Sequence, residues 1–421
     1  MKRSFYTIMA AQFFSSLADN ALLITCIAFL DMLQSPEWMR PLLKFFFVLS
    51  YVLLAPFVGA FADAFPKGRV MFFTNLIKIL GCSLMFFNVH PLLAYGLVGF
   101  GAAAYSPAKY GILTELLPPE KLVAANGWIE GLTVSSIILG TYLGGQLISP
   151  EVTTLLNKFH LPHIGGMNLP SDMILVIVTS VYVIAAIVNL YIPETGVTYA
   201  KQQHGPYKLI EDFAHCYTVL WKDKLGQISL AVTTLFWGAG ATLQFIVIAW
   251  GGDSLGMPTY QVVQLQVVVI LGVALGAVAA AVKVPLKKTL SLMPVGVAMG
   301  LVVMSMTLVH TVTYAYPLLF IIGALSGFFV VPMNALLQHR GYVLLSAGHS
   351  IAVQNFNENL SILTMLVVYS VMLKLHVGGS NTVILLFGLF VVTSLLLVIL
   401  WHARNQKKFD SVALIGEETH H

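Results

Sequence analysis

The sequence predicts an all-α, polytopic membrane protein, and three observations point to this class. Of its 421 residues, 58% are hydrophobic and only 10% are charged, which is far outside the range of soluble domains. Apolar segments recur along the whole chain, and each approaches the roughly 20 residues that a helix needs to cross the hydrocarbon core. Short polar stretches divide the chain into about twelve such segments, and we expect each segment to be a transmembrane helix.

The predicted spans form two groups of six, divided by the longest polar interruption. The N-terminal spans cover residues 5–31, 41–62, 69–89, 92–116, 122–148 and 172–192. The C-terminal spans cover residues 226–250, 259–282, 290–310, 314–338, 344–373 and 380–402. We therefore predict an N-terminal six-helix bundle (1–192), a cytoplasmic linker (193–225), a C-terminal six-helix bundle (226–403) and a cytoplasmic tail (404–421), whose last residues are compatible with the start of a purification tag. Two related bundles around a midplane site are a recurrent transporter plan.

Basic residues predict the orientation of these spans. When the N-terminus is placed inside, most of the 22 Lys and Arg residues fall in segments on that same side. The positive-inside rule assigns this side to the cytoplasm, so both termini are expected there. The three cysteines, Cys26, Cys82 and Cys216, are too few and too scattered for a disulfide framework or a metal site, and we interpret them as packing residues.

Small residues mark two places where helices can approach closely. Gly140-x-x-x-Gly144 is followed by Gly145 in the fifth span, and Gly272-x-x-x-Gly276 lies in the eighth. Such spacing is typical of close helix pairs in membranes. Two interpretations stay open: ordinary glycines of membrane helices, or a packed contact between the two halves.

Carboxylates inside apolar spans are the strongest functional signal. Asp19, in "SLADNALL", lies about 15 residues, or roughly 22 Å, into the first span. A charge at that depth costs about 2.5–3.5 kcal/mol, so it indicates a functional residue by default. Glu130 and Glu358 lie about halfway along their own spans. The alternative for Asp19 is a protonated or helix-paired structural aspartate.

Other polar residues accompany these carboxylates. Gln354, Asn355, Asn357 and Asn359 surround Glu358 in "VQNFNENLS", which indicates a face on water or hydrogen bonds between helices. Lys109 follows Pro107, and it either reaches the inner interface or pairs with an anion in a cavity. We interpret Lys78, within the third span, as structural.

The segment "GAFADAFPKGRV" links spans two and three. Its Asp63, Lys67 and Arg69 resemble the G-x-x-x-D-x-x-x-x-[RK] loop of the major facilitator superfamily, with looser spacing. One acid and two bases in a short loop can hold helix ends together in one state and release them in another. We therefore interpret these residues as a conformational latch.

Enzymatic classes find no support in the sequence. It contains no H-x-x-x-x-D motif, no Walker-type loop and no His pair beside a carboxylate with metal spacing. We predict no catalytic residues, no cofactor, no metal and no nucleic-acid partner.

Several stretches together resemble the lysophospholipid transporter family of Gram-negative inner membranes, a branch of the major facilitator superfamily. They are "AQFFSSLADNALL", "APFVGAFADAFPKGRV", "GAAAYSPAKYGILTEL", "FWGAGATLQF", "FFVVPMNALLQHRG" and "SAGHSIAVQNFNEN". The resemblance implies the major facilitator fold and movement of lysophosphatidylethanolamine, and the lyso forms of phosphatidylglycerol and cardiolipin, from the outer to the inner leaflet. It also implies re-acylation there by an acyltransferase/acyl carrier protein synthetase.

The resemblance extends to individual residues. It covers Asp19 and Asn20, Lys109, and the group of Asn355 and Glu358. One position departs from the family, because Gln244 stands where its members have arginine. If that arginine pairs with the aspartate of the first span, Asp19 lacks its partner here. We assign substrate binding to Asp19, Asn20, Lys109, Glu130, Gln244, Gln354, Asn355 and Glu358.

These assignments predict a monomeric flippase that works by alternating access. The carboxylates receive an ethanolamine ammonium, Lys109 attracts the phosphate, and the acyl tail lies along apolar surfaces and membrane lipid. One alternative is a proton-coupled major facilitator transporter of another amphipathic solute or drug, since proton relays also need buried carboxylates. A second is a non-transporting scaffold for the enzyme that remakes the lipid.

Overall fold

The computed structural model describes residues 3–58, 61–62, 65–116, 119–156, 158, 172–196, 205–344, 347–408, 410 and 415. Throughout these residues the regular secondary structure is helical, with no β-strand. The predicted all-α class is therefore confirmed.

Fourteen α-helices follow one another along the described chain. In the N-terminal half they are α1 (Arg3–Met32), α2 (Arg40–Leu54), α3 (Lys67–Leu84), α4 (Pro91–Leu116), α5 (Pro119–Leu147), α6 (Pro150–Leu156) and α7 (Asp172–Leu190). In the C-terminal half they are α8 (Pro206–Lys222), α9 (Gly226–Asp253), α10 (Thr259–Lys283), α11 (Met293–Met304), α12 (Val312–Leu344), α13 (Ala347–Lys374) and α14 (Ser380–Gln406). Short 3₁₀ helices cover Glu37–Met39, Met85–Phe87, Leu286–Leu292 and Ser305–Leu308.

Two compact units make up the chain. One comprises Met1–Pro206 with Thr259–Gln264, and the other comprises Tyr207–Pro258 with Leu265–His421. We call them the N-terminal and the C-terminal unit. The first turns of α10 thus cluster with the N-terminal unit, although the rest of that helix belongs to the C-terminal one.

Nine of the described helical segments are long and apolar enough to cross a membrane, and a bent helix pair would make ten. The bend of 68° separates the second part of α5 from α6, which begins at Pro150. Helix α2 ends at Leu54, well before the predicted residue 62. Pro56 accounts for this interruption, because proline has no N–H group to donate to the preceding turn. The number of twelve spans stays a prediction.

Close helix contacts form within each unit. A side chain at Gly140 or Gly144 would collide with the backbone of α1 at Leu17 or Ala21, so α5 lies directly on α1. Likewise, Gly272 and Gly276 of α10 face the backbone of α12. The glycine motifs are therefore genuine packing sites, but these four glycines contact helices of their own unit. The alternative of a contact between the two halves therefore does not hold for Gly140, Gly144, Gly272 and Gly276, whereas a side chain at Gly145 would collide with Val263 in the first turns of α10.

Helix α8 lies in the segment that the sequence analysis treated as a linker. Its Cys216 and Leu220 pack against Leu230, Leu337 and Val353 of the C-terminal unit. The indole of Trp221 donates a hydrogen bond to Asn357 Oδ1 at 3.2 Å. Because one face of α8 is buried, this helix is an integral part of the C-terminal unit.

Candidate functional site

A buried ion pair lies in the middle of the N-terminal unit. Lys78 Nζ of α3 lies 2.7 Å from Asp19 Oδ2 of α1, and the side chains are only 3% and 15% exposed. The hydroxyl of Tyr182 on α7 donates to the other carboxylate oxygen, Asp19 Oδ1, also at 2.7 Å. Both oxygens of the carboxylate therefore accept a hydrogen bond from a neighbouring helix.

Further polar groups extend this pair into a network. Lys78 Nζ donates to Ser15 Oγ at 2.9 Å, and Ser15 Oγ donates to Asn75 Oδ1 at 2.8 Å. The hydroxyl of Tyr95 on α4 donates to the backbone carbonyl of Asp19 at 3.2 Å. Four helices thus contribute to one network, which we call the Asp19 cluster: Ser15, Asp19, Asn75, Lys78, Tyr95 and Tyr182.

The surroundings of Lys78 are adapted to a buried cation. Its aliphatic stem passes Gly101 of α4, where a side chain would collide with Lys78 Cγ. Its ammonium lies 5.2 Å from the ring centroid of Tyr105 and 5.9 Å from that of Tyr182. Aromatic rings at such distances attract a cation through their quadrupole. Lys78 is therefore held by a carboxylate, a hydroxyl and two aromatic rings.

Asp19 therefore has a cationic partner, although Gln244 stands where members of the family have arginine. The partner comes from α3 of the same unit, a residue that the sequence analysis interpreted as structural only. Breaking a buried pair by removing one member is costly, because the other charge stays uncompensated. The sequence did contain the signal: two opposite charges, each too costly alone, lie inside apolar spans of the same half.

The other predicted residues of the N-terminal unit are Asn20, Lys109 and Glu130. Asn20 Nδ2 donates to the backbone carbonyl of Ser16 within α1, at 2.8 Å. Lys109 lies on α4 beyond Pro107 and is buried. Glu130 belongs to α5, but its side chain lies outside the described residues.

A second polar group lies on α13 in the C-terminal unit. Gln354 Nε2 donates to Glu358 Oε1 at 2.7 Å and to Asn334 Oδ1 of α12 at 3.2 Å. Both Gln354 and Glu358 are buried, whereas Asn355 is exposed. The structure therefore joins Gln354 and Glu358 in one hydrogen-bonded group, with Asn355 on a different face of the helix.

Gln244 forms a neutral contact between α9 and α10. Its Nε2 donates to Gln266 Oε1 at 3.2 Å, and Gln266 Nε2 donates to the backbone carbonyl of Gln244 at 3.1 Å. These reciprocal bonds join two amides of the C-terminal unit. At this position the chain thus makes an amide contact between neighbouring helices.

The predicted latch residues are only partly described. Lys67 Nζ donates to the backbone carbonyl of Ala62 at 2.8 Å. Arg69, at the start of α3, pairs with Glu194 beyond the end of α7 at 2.6 Å, and both side chains are largely exposed. Asp63 lies outside the described residues. Glu194 is a partner that the sequence analysis missed.

A third ion pair, also missed, joins α12 to the start of α9. Arg340 is bidentate on Asp223, with Nη2 at 2.7 Å from Oδ1 and Nε at 3.1 Å from Oδ2. Asp223 Oδ2 also accepts from the backbone N–H groups of Leu225 and Gly226. The Asp223 carboxylate therefore caps α9 and binds the Arg340 guanidinium at the same time. Among the described residues, no group of three or more His, Cys, Asp or Glu could hold a metal ion.

Comparisons with known proteins identify the family. Residues 8–364 match the family profile described as Major Facilitator Superfamily. The chain is 42% identical over 382 residues to "Lysophospholipid transporter LplT" of Yersinia enterocolitica, covering 90% of this chain and 89% of that protein. It is 41% identical over 399 residues to the protein of the same name from Escherichia coli strain SE11, covering 94% of each.

A solved structure supports the same fold. The POT family transporter PepTSo superposes with a TM-score of 0.70 at 13% sequence identity, covering 97% of this chain and 99% of that one. At this identity the likeness concerns the fold alone. Together with the near full-length relatives, it shows that the chain belongs to the major facilitator superfamily and, within it, to the lysophospholipid transporter family.

Proposed function

We propose that this chain is a multi-pass transporter of the bacterial inner membrane that moves lysophosphatidylethanolamine and related lysolipids from the outer to the inner leaflet. The observation that carries this proposal is the 41–42% identity, over nearly the whole chain, to proteins named as lysophospholipid transporters. No other substrate class has comparable support.

The Asp19 cluster suits a lysolipid headgroup. The ethanolamine head carries an ammonium and a phosphate, and the ion pair of Asp19 and Lys78 offers the two complementary charges. Charge-assisted hydrogen bonds of this kind are roughly twice as strong as neutral ones. Lys109 remains our second candidate for the phosphate, with Glu130 as a further carboxylate of the same half.

The C-terminal unit supplies the remaining polar contacts. Gln354, Asn355 and Glu358 of α13, with Gln244 of α9, are proposed to contact the headgroup when the substrate is bound. Alternate opening of two bundles would then expose the headgroup to each leaflet in turn. In this scheme Lys67, Arg69 and Asp63 form the latch, with Glu194 as the partner of Arg69.

The cellular setting follows from the same family. We propose that both termini are cytoplasmic, that the protein works as a monomer, and that an acyltransferase/acyl carrier protein synthetase re-acylates the delivered lysolipid. A reporter fused to each terminus, active only on one side of the membrane, tests the orientation. Activity of either fusion in the periplasm would contradict it.

Reconstitution tests the proposed function. Purified protein in liposomes should move fluorescent lysophosphatidylethanolamine from the outer leaflet to a quencher-protected inner leaflet, faster than protein-free liposomes do. Folded protein that moves no lysolipid would overturn the proposal and favour a scaffold. Per folded molecule, the Asp19→Asn variant should be slow, because it loses the carboxylate that meets the ammonium.

The same liposomes separate the main alternative. A proton-coupled carrier of another amphipathic solute needs the proton gradient, whereas lysolipid flipping by this scheme moves no proton. Transport that persists after an ionophore collapses the gradient supports the proposal. Transport that stops with the gradient would favour the proton-coupled alternative.

A further inference from the structure

We propose that the C-terminal unit binds a phosphate group between its helices, at the end where α9 and α11 begin and α12 and α14 end. We call this the basic end. Anionic phospholipids and free phosphate both carry the group that this site takes. The Asp19 cluster belongs to the other unit, so the inference goes beyond the proposed function and does not depend on it.

Buried polar atoms without a partner are concentrated at the basic end. Ten buried side-chain nitrogen or oxygen atoms of the described residues have no hydrogen-bond partner among those residues. Five of the ten belong to this end: Gln227 Nε2, Thr289 Oγ1, His339 Nε2, His402 Nδ1 and Asn405 Nδ2. Gln227, Thr289 and Asn405 are no more than 9% exposed. Folded proteins leave few such atoms unsatisfied, because each has given up its hydrogen bonds to water. Five at one end of one unit therefore indicate a polar ligand that reaches them.

Helices α11, α12 and α14 meet at one glycine. A side chain at Gly296 of α11 would collide with the ring of Phe329 on α12, at 2.7 Å, and with Leu395 on α14, at 2.9 Å. Gly296 is therefore a common reference point for depth along the three helices.

Helix α11 runs opposite to both of its neighbours. Beyond Gly296, Gly300 of α11 lies against Val392, which precedes the contact on α14. Similarly, Ser326 of α12 donates to Met299 Sδ of α11 at 2.9 Å, and Ser326 precedes the contact on α12. The start of α11 and the last turns of α12 and α14 therefore lead to the same end of the unit.

Four of the unpartnered atoms belong to residues at a similar depth beyond this contact. At about 1.5 Å per residue, His402 and Asn405 lie about 10 and 15 Å further along α14, and His339 lies about 15 Å further along α12. Thr289 lies about 12 Å away in the same direction, in the 3₁₀ helix before α11, which rises about 2.0 Å per residue. This 3₁₀ helix also packs directly against α12. The four residues thus differ by about 5 Å in depth, so one ligand can meet groups from all three helices.

The charges at the basic end favour an anion. Lys287 and Lys288 lie next to Thr289 in the chain, Arg404 lies next to Asn405, and all three cations are exposed. Helices α11, α12 and α14 contain no Asp or Glu. A cation therefore finds no carboxylate on these helices, whereas an anion finds several positive charges nearby.

The unpartnered atoms also suit a phosphate. The amide nitrogen of Asn405 only donates hydrogen bonds, and the Thr289 hydroxyl and an imidazole N–H can donate as well. Asp223, the carboxylate at the start of α9, is already paired with Arg340. A phosphate supplies a negative charge and several acceptor oxygens, and hydrogen bonds to such a charged group are the strong ones. Basic pockets between membrane helices are known to hold phospholipid head groups in this way.

Thermal unfolding of the wild-type protein in an uncharged maltoside detergent is the first test. Dioleoylphosphatidylglycerol should raise the melting temperature, whereas dioleoylglycerol, which has the same chains but no phosphate, should not. Sodium phosphate is compared with sodium chloride at equal ionic strength. A rise with the phospholipid alone identifies a lipid phosphate as the ligand, and a rise with sodium phosphate as well shows that the free ion is sufficient.

Thr289→Val then tests the site itself, because this change removes the hydroxyl but keeps the shape and the net charge. The amount of phosphatidylglycerol needed for half of the temperature rise should increase roughly 10-fold or more, the factor that a hydrogen bond to a charged group represents. Thr234→Val is the matched control. It removes another buried hydroxyl without a partner among the described residues, about 12 Å from the start of α9, and should leave the amount unchanged.

Asn405→Leu provides a second variant that removes a donor without changing the charge, so it should act like Thr289→Val even if the latter folds poorly. General attraction of anionic lipid to basic residues is the same in all of these proteins. An equal temperature rise with both dioleoyl lipids, or wild-type half-saturation in both Thr289→Val and Asn405→Leu, would overturn the inference. Both readouts measure binding, so a failure to flip lysolipid would count against the proposed function alone.

Discussion

The first candidate membrane spans of the two units, α1 and α9, each carry a polar residue inside an apolar helix, but the two residues have different partners. Helices α1 and α9 are the most buried of the candidate spans, with 67% and 61% of their most apolar windows inside the protein. Each carries a polar residue at similar depth, because Asp19 lies about 24 Å and Gln244 about 27 Å from the start of its helix at 1.5 Å per residue. Asp19 meets the charged Lys78, whereas Gln244 meets the neutral Gln266.

The two helices thus differ in the kind of polar contact they make: a charged pair in α1 and a neutral amide pair in α9. A neutral amide pair joins two helices in a membrane at small cost. A buried ion pair adds little stability over an apolar replacement, yet it is expensive to break. The proposed role of Asp19 in transport would account for a charge at this depth in α1, where α9 carries an amide.

The largest effect is expected when one charge of the Asp19 pair is removed. Lys78→Met should lower the free energy of unfolding by about 3–5 kcal/mol, because Asp19 stays buried without its counter-ion. The double variant Asp19→Asn/Lys78→Met should recover most of this loss. Denaturant titration of the detergent-solubilised protein measures both. Losses that simply add in the double variant would contradict the ion-pair account.

The C-terminal unit also has a buried ion pair, Arg340 with Asp223. This pair lies at the start of α9, whereas Asp19 lies well inside α1. Arg340→Met should lower the free energy of unfolding by about 1.5–3 kcal/mol, since the bidentate bonds to Asp223 are lost while Asp223 still caps α9. The same titration measures the loss. Asp223→Asn also loses the charge pair, but its carbonyl oxygen keeps the cap, so its loss should be similar. If neither variant lost stability, the cap, and not the charge pair, would be what stabilises this end.

The amide pair of α9 and α10 should matter less. Gln244→Leu should cost about 0.6–1.7 kcal/mol, the range measured for hydrogen bonds between membrane helices. Gln244→Leu/Gln266→Leu should cost less than the sum of the two single losses, because neither amide is left without the other. The same titration measures this loss. If Gln244→Leu lost as much stability as Lys78→Met, the charged pair of α1 and the amide pair of α9 would not differ in the way described.

The smallest effect on stability is expected at the exposed pair of Arg69 and Glu194. Arg69→Ala should cost less than about 1 kcal/mol, because water and salt screen the charges. If the pair belongs to the proposed latch, this variant should nevertheless change the flipping rate in liposomes. An unchanged rate in Arg69→Ala and in Glu194→Gln would remove the pair from the latch.

The sequence predicts the fold better than it predicts the site. Apolar span length identifies the helices because each must satisfy its own backbone in lipid, which leaves a strong local signal. Asp19, Gln354 and Glu358 were found because a polar group inside such a span is costly. Lys78 was singled out for the same reason, but its pairing with Asp19 depends on how α1 and α3 pack, which no local pattern records. The pairs of Arg340 with Asp223 and of Arg69 with Glu194 were missed for the same reason.

Transport by the double variant Asp19→Asn/Lys78→Met tests the central claim most directly, namely that the ion pair serves transport more than stability. The variant has no buried charge to compensate, so it should unfold like the wild-type protein. In liposomes that contain equal amounts of folded protein, it should fail to flip lysophosphatidylethanolamine. Flipping at the wild-type rate would show that the pair is only a packing element of the N-terminal unit, and the account would be wrong.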